Sequence, residues 1–234
     1  MTSTSRASRM SQGLVSRVVV NAFLVCALTL FMLPMLWMLI TALKAPKEVL
    51  IVPPRWIPSE IRWHNFVDIW GMGRIDQGMR NSAILTFGAM IGVFLSAPMV
   101  AFGFSRVRFL GREKLFIVVL ATMMLPSQVT LIPLYIIYKS LGWLDTYLPF
   151  IVPCFFGGGA FFIFLLRQFF LTIPTELEDA ARIDGCSTWR IFLQIFLPLA
   201  KPALATVGIF SFINGWNSYL GPLLFHTAQG IMPV

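Results

Sequence analysis

The stretch Pro174–Pro198, PTELEDAARIDGCSTWRIFLQIFLP, is a polar segment with capping signals, set between two long apolar runs. Thr175 and Glu178 have capping-box spacing, so the hydroxyl can accept from the Glu178 amide while Glu178 reaches back to the Thr175 amide. Glu176, Glu178 and Asp179 put negative charge on the first turn, where the helix dipole favours it. Ala180 and Ala181 strip bulk from one short arc, and Gly185 can take the left-handed conformation that ends a helix. The pattern predicts a helix over Glu176–Asp184, too short to persist without packing. Spacing alone leaves two readings open: an ordinary helix lying on a membrane surface, or a segment shaped to be gripped by another protein.

Composition places the rest of the chain in a membrane. Apolar residues make up 57% of the 234 and charged residues only 12%, far from soluble usage. Charge-free runs cover Val18–Leu43, Asn81–Ser105, Leu115–Tyr138, Thr146–Leu166 and Pro202–Val234. Each exceeds the roughly 20 residues a helix needs to cross the hydrocarbon core. The expectation is an all-α, polytopic bundle with spans at about 18–43, 81–105, 115–138, 146–166 and 202–224, preceded by a flexible arm at 1–17. Residues 18–234 form one transmembrane domain in this reading, with 174–198 as its polar loop. Val18–Leu43 is too long for a signal-peptide core and reads as a retained anchor.

Alternate polar segments carry 11 and 7 lysines and arginines, with five acids on each side. The richer set includes Arg106, Arg108, Arg112, Lys114, Arg167 and Arg182, and it is expected in the cytoplasm. The amino terminus and Pro174–Pro198 are then inside. The surplus of positive charge reads as topology and contact with anionic lipid, and nothing in it suggests nucleic acid. Cys26, Cys154 and Cys186 suggest no disulfide framework, and His64 and His226 lack partners at metal-ligand spacing.

Prolines 34, 98, 126, 133, 153 and 222 fall inside apolar runs. Pro126 and Pro133 bracket Ser127, Gln128 and Thr130, making the third run the most broken and most polar. Gly157–Gly159 fits either a hinge or a close helix approach, the second being preferred. Pro53, Pro54, Trp56, Pro58 and Trp63 suggest a stiff interfacial turn in the first outer loop.

The missing chemistry narrows function. All ten acids lie outside the runs, so no intramembrane carboxylate is present to bind a coupling ion. A phosphate-binding loop is absent, as are a nucleophile–base pair and a metal cluster. A pore-type protein without its own energy source implies an external motor. The rival readings are a free-standing carrier or channel, and a truncated, non-transporting membrane subunit.

The residues Glu178-Asp179-Ala180-Ala181-Arg182-Ile183-Asp184-Gly185, continuing to Leu197-Pro198-Leu199, resemble the EAA–G loop of binding-protein-dependent ABC transporter permeases. The closer resemblance is to the second permease of the carbohydrate group, typified by maltose and glycerol-phosphate importers. Pro54–Pro58, Asn81-Ser82, Met124–Pro126, Ile132–Tyr135, Leu141-Gly142, Trp216-Asn217 and Pro222-Leu223 support it. The resemblance implies the type I importer permease core in a prokaryotic cytoplasmic membrane. It also implies a second permease, two ABC ATPase subunits that bind ATP and magnesium, an extracytoplasmic solute-binding protein and a sugar-like substrate. This chain would hold no cofactor. Glu178, Asp179, Ala180, Ala181, Asp184 and Gly185 would form the ATPase-coupling loop. Gln128, Asn214 and Asn217 are polar groups expected to face the translocation path, or else to bond between helices. Two departures stand out: Asp179 replaces the family's glutamate, and the family's sixth span has no counterpart before Val234.

Overall fold

The computed structural model describes residues 4–72 and 75–225, and every regular element in them is helical. The chain divides into two compact units, Met1–Arg74 and Ile75–Val234.

In the first unit, α1 runs Thr4–Ala42, followed by α2 (Pro46–Val49) and α3 (Asn65–Met72). The arm expected to be flexible is instead helical from Thr4. Propagating a helix outward from an apolar span costs little once it is nucleated, and residues 4–17 contain no proline. The loop after α1 is tied by several side-chain contacts. Lys44 Nζ donates to the Arg55 carbonyl at 2.6 Å and sits 4.1 Å from the centre of the Trp37 ring. Trp37 meets Trp56 edge-on at 5.0 Å. Asn65 Nδ2 donates to the Ala42 and Lys44 carbonyls at 2.9 Å. The Ser59 hydroxyl and amide both donate to Glu48, holding its carboxyl below the usual carboxylate range.

In the second unit, α4 (Ile75–Arg106) is the central strut, with α8 (Ala160–Thr172) and α12 (Lys201–Trp216) packed on it. Small residues on α4 permit this. Ala97 and Ala101 are fully buried, and Gly92 admits the 3₁₀ turn that precedes α8, where a side chain would meet the backbone of Cys154 at 2.9 Å. Leu166 and Phe170 of α8 and Val207 of α12 complete the contact, each with no exposed surface. Pro98 is accommodated within α4.

The remaining apolar runs are interrupted. The expected span at 115–138 is two helices, α5 (Arg112–Thr122) and α6 (Ser127–Ser140), meeting at 97°. Pro126 has no N–H and is extended, so α5 cannot continue through it; Pro133 lies inside α6 without breaking it. The expected span at 146–166 begins with α7 (Leu148–Ile151) and a 3₁₀ turn (Val152–Phe155), then breaks at Gly157–Gly159 before α8. All three glycines have positive φ, and a Cβ on Gly158 would lie 3.1 Å from the Val93 Cα. The triplet is therefore a chain break that also lets the backbone press against α4. The expected span at 202–224 ends at Trp216 and resumes as α13 (Leu220–Phe225), and its continuation toward Val234 lies outside the described residues, as does His226. Between α8 and α12 come α9 (Thr175–Ile183), α10 (Thr188–Ile191), a π-helical turn (Phe192–Phe196) and α11 (Leu197–Leu199). Three helical stretches, Arg17–Ala42, Ile75–Arg106 and Leu148–Thr172, are long and apolar enough to cross a membrane. The described residues reach five spans if each of two bent pairs counts as one.

Two outcomes follow. Gly158→Val combines left-handed backbone with a clash on Val93, and it should destabilise the second unit by on the order of 2–3 kcal/mol; a detergent melting curve unchanged from wild type would contradict this packing. For Glu48, the folded carboxyl is lowered. Its contribution to loop order is thus present above the unfolded pKa and fades as pH falls through the folded value. Carbon-13 NMR titration should show Ser59→Ala raising Glu48 toward the ordinary carboxylate range.

Candidate functional site

The segment that opened the sequence reading forms a compact knuckle at one end of the second unit. α9 spans Thr175–Ile183, within a residue of the expected bounds. Its start differs from expectation. Pro174 occupies the cap position and has no side-chain acceptor to offer, so no side chain caps the helix, and Glu178 pairs instead with two arginines. Its end is a full Schellman motif. Gly185, at φ +77°, donates to the Arg182 carbonyl at 3.1 Å, and Cys186 donates to Ala181 at 2.9 Å. Ser187 then accepts from the Arg190 amide at 3.4 Å and caps the next helix.

Arg106, the last residue of α4, organises the knuckle. Its Nη2 donates to the carbonyl of Phe170 at 2.5 Å and also to that of Ile173, satisfying the open end of α8. Nη1 lies 3.9 Å from Glu178 Oε2, and the guanidinium rests 5.0 Å from the Phe196 ring centre. The Arg106 and Glu178 side chains are only 6% and 10% exposed. Arg182, one turn along α9, donates to Glu178 Oε1 at 2.7 Å. Beneath Arg106, Phe102 contacts Phe170, Phe192 and Phe196, with ring centres 5.0–6.3 Å apart.

α8 answers in kind. Arg167 Nε donates to the Phe104 carbonyl near the end of α4 at 3.2 Å, its guanidinium lies 4.0 Å from the Phe116 ring centre, and it pairs with Glu113 at 3.3 Å. Two arginines thus hold the neighbouring ends of α4 and α8 by exchange.

The expected coupling residues divide between two faces. Glu178 and Ala181 are buried against the chain itself, Ala181 within the apolar core. Asp179, Ala180, Asp184 and Gly185 are exposed. Ile183 is 87% exposed, an apolar side chain beside the acids that the sequence reading passed over. Arg106 was also missed, having been counted only as topology; its place as the first charge after a long apolar run was the available signal. A cleft of about 680 Å³ between the α4–α5 link and α9 is lined by Arg106, Arg108, Arg112, Glu178, Asp179 and Arg182, among others.

Gln128, Asn214 and Asn217 are exposed, and none bonds to another helix among the described residues. Gln128 stands at the start of α6, beside the Pro126 break, and Asn217 ends α12. Ala203, Val207 and Ser211 form the buried face of α12. No group of three or more metal-type ligands is brought together among the described residues.

A bundle of long apolar helices joined to a capped acidic knuckle defines a multi-pass membrane protein of the permease class. Residues 88–232 match the model of the family described as "Binding-protein-dependent transport system inner membrane component", and the chain belongs to that family. It is 40% identical over 196 residues to "Probable ABC transporter permease protein YurM" of Bacillus subtilis (strain 168), covering 82% of this chain and 63% of that protein. It is 33% identical over 216 residues to "Diacetylchitobiose uptake system permease protein NgcG" of Streptomyces coelicolor (strain ATCC BAA-471 / A3(2) / M145), covering 89% and 69%. Identity is also 33%, over 210 residues, to "sn-glycerol-3-phosphate transport system permease protein UgpE" of Yersinia enterocolitica serotype O:8 / biotype 1B (strain NCTC 13174 / 8081), covering 87% and 74%. Among solved structures, a chain of a bacterial ABC transporter involved in the import of the acidic polysaccharide alginate superposes with a TM-score of 0.78 at 25% identity. That match covers 97% of this chain and 78% of the other.

The Schellman turn gives a test of the knuckle itself. No atom lies within 4 Å of a Cβ built on Gly185, so a substitution there meets backbone strain alone. Gly185→Ala should weaken hydrogen-exchange protection of the Cys186 amide by about tenfold, from ~1–2 kcal/mol of left-handed strain, and Gly185→Asn by less. Equal protection in all three chains would contradict the motif.

Proposed function

We propose that this chain is the permease subunit of an ATP-driven importer of a sugar or sugar-like solute, with α9 as the helix that docks on the ATPase. The observation that carries the reading is the two-faced build of α9. Its inner face is tied to the bundle through Glu178 and Ala181, while Asp179, Ala180, Ile183 and Asp184 stand free on the other side. A small side chain between acids and an exposed isoleucine suits close contact with a complementary surface. The relatives' printed names, one of a diacetylchitobiose uptake system and one of an sn-glycerol-3-phosphate transport system, support the solute class.

The partners in this reading are a second permease, two ABC ATPase subunits carrying ATP and magnesium, and an extracytoplasmic solute-binding protein. The chain itself holds no cofactor. The amino terminus and α9 face the cytoplasm of a prokaryotic inner membrane. ATP would bind the closed ATPase dimer preferentially, and the docked helices would carry that bias into the bundle. Gln128, Asn214 and Asn217 would line the solute path with the second permease. Helix breaks at membrane depth must be covered by protein or face water. Met124, Phe156 and Tyr219 mark three such breaks and are 84%, 83% and 70% exposed in the single chain.

Co-expression with candidate ATPase, permease and binding-protein genes of the same genome tests the reading. Asp179→Lys and Ala180→Trp should each reduce the ATPase recovered with the complex about tenfold, roughly 1.4 kcal/mol of docking, with a matching loss of labelled-sugar uptake. Full recovery and uptake in both variants would overturn the docking role. Uptake by proteoliposomes lacking any ATPase would favour a free-standing carrier, and a complex that assembles but never transports would favour a structural subunit.

A further inference from the structure

We propose that Arg106 is a positioning residue that clamps the joint between α8 and α9, so that α9 moves together with α4 rather than swinging on its own. The inference rests on the reading of α9 as the ATPase-docking helix. α8 ends at Thr172 and α9 begins at Thr175, leaving Ile173 and Pro174 as a two-residue extended joint with ψ of 128° and 138°. Pro174 has no N–H, so helical hydrogen bonding cannot run through the joint. A short helix hung on such a link would pivot about those backbone angles, and a push on it would be spent in local rotation.

Arg106 spans that pivot. One guanidinium nitrogen holds the Phe170 and Ile173 carbonyls on the α8 side, and the other faces Glu178 on the α9 side. The third body is α4 itself, whose last turn bears the arginine, and the Phe196 ring backs the guanidinium at 5.0 Å. A planar fork can serve both sides of a joint at once; a lysine ammonium is a single point charge without that geometry. Glu178 is well placed for its half of the clamp. It is nearly buried, and Arg182 on its own helix fixes its second oxygen at 2.7 Å. The apolar seat of Ala181 adds attraction without direction. The guanidinium's hydrogen bonds to the Phe170 and Ile173 carbonyls supply the direction, and its charge draws Glu178 toward them.

Glu178→Gln separates the two halves, since it leaves the arginine on the α8 carbonyls and removes the charge that faces Arg106 across the joint and Arg182 on α9. In the assembled, reconstituted transporter, this variant should retain its ATPase and hydrolyse ATP, while sugar moved per ATP falls about tenfold. Arg106→Lys should show the same loss. Arg182→Ala, which frees the Glu178 oxygen that Arg106 does not face, should lower the ratio by less than Glu178→Gln does. Pulsed EPR distances between labels at Leu110 and Glu176, in a chain with its three cysteines replaced, give a readout that stability alone would not move. The wild-type distance should be sharp and equal in nucleotide-free and ATP-trapped complexes, and broad in Glu178→Gln. A wild-type ratio with a sharp distance in Glu178→Gln would overturn the clamp. So would loss of ATPase recovery in that variant, which would assign Glu178 to the docking contact instead. Failure of the docking reading itself would appear separately, as unchanged recovery in Asp179→Lys and Ala180→Trp.

Discussion

One buried guanidinium, Arg106, sets the arrangement of everything around the knuckle. Helices α4, α8 and α9 each end or begin there, and each brings backbone groups without a helical partner. Arg106 closes α8, Arg167 reaches back toward the end of α4, and Glu178 brings α9 into the same network. The Nε of Arg106 is buried without a partner, which shows how far the side chain has been drawn in to make its other contacts. Holding power alone does not account for such a pair, because a well-packed apolar set is often as stable or more so. What a planar, fork-shaped cation adds is fixed relative orientation.

That orientation rests on close packing below it. Buried alanines on α4 and glycines on α12 let these helices and α8 approach closely, and four phenylalanines fill the space just under the arginine. In lipid, helices gain little from hiding apolar surface, so association depends on contact and hydrogen bonding. Thr86 illustrates the tightness: it is fully buried on α4, and a Cβ on Gly215 of α12 would lie 3.2 Å from its backbone Cα.

Periodicity and composition carried much of the architecture because apolar runs of that length have few other uses. The helix over α9 and its glycine stop were legible for the same kind of reason: both are local, set by residues within a few positions of one another. The capping box was not realised: the helix begins one residue earlier than expected, with Pro174 in the cap position, and Glu178 pairs with Arg106, 72 positions earlier in the chain, which no local pattern reports. The breaks at Pro126 and Gly157–Gly159 were visible as residues, yet their consequences were not. Whether proline bends a helix or sits within it depends on what its neighbours can satisfy, and Pro133 and Pro98 were absorbed where Pro126 was not. The two faces of α9 were illegible for a related reason. Ala180 and Ala181 are adjacent in sequence, and only the position of the core decides which is covered.

The irregular backbone carries a further constraint. A helix interrupted by proline or glycine leaves amides and carbonyls that hydrocarbon cannot satisfy. In the second unit such interruptions fall at Met123–Pro126, at Gly157–Gly159 and after Trp216, and the side chains beside them are largely uncovered. The central helix α4, by contrast, runs unbroken for 32 residues. Regularity at the centre and interruption at the margins is the reverse of what a self-contained bundle in lipid would tolerate. It suits a subunit whose broken surfaces are completed by another protein or by water, and Gln128 and Asn217 stand at two of those breaks.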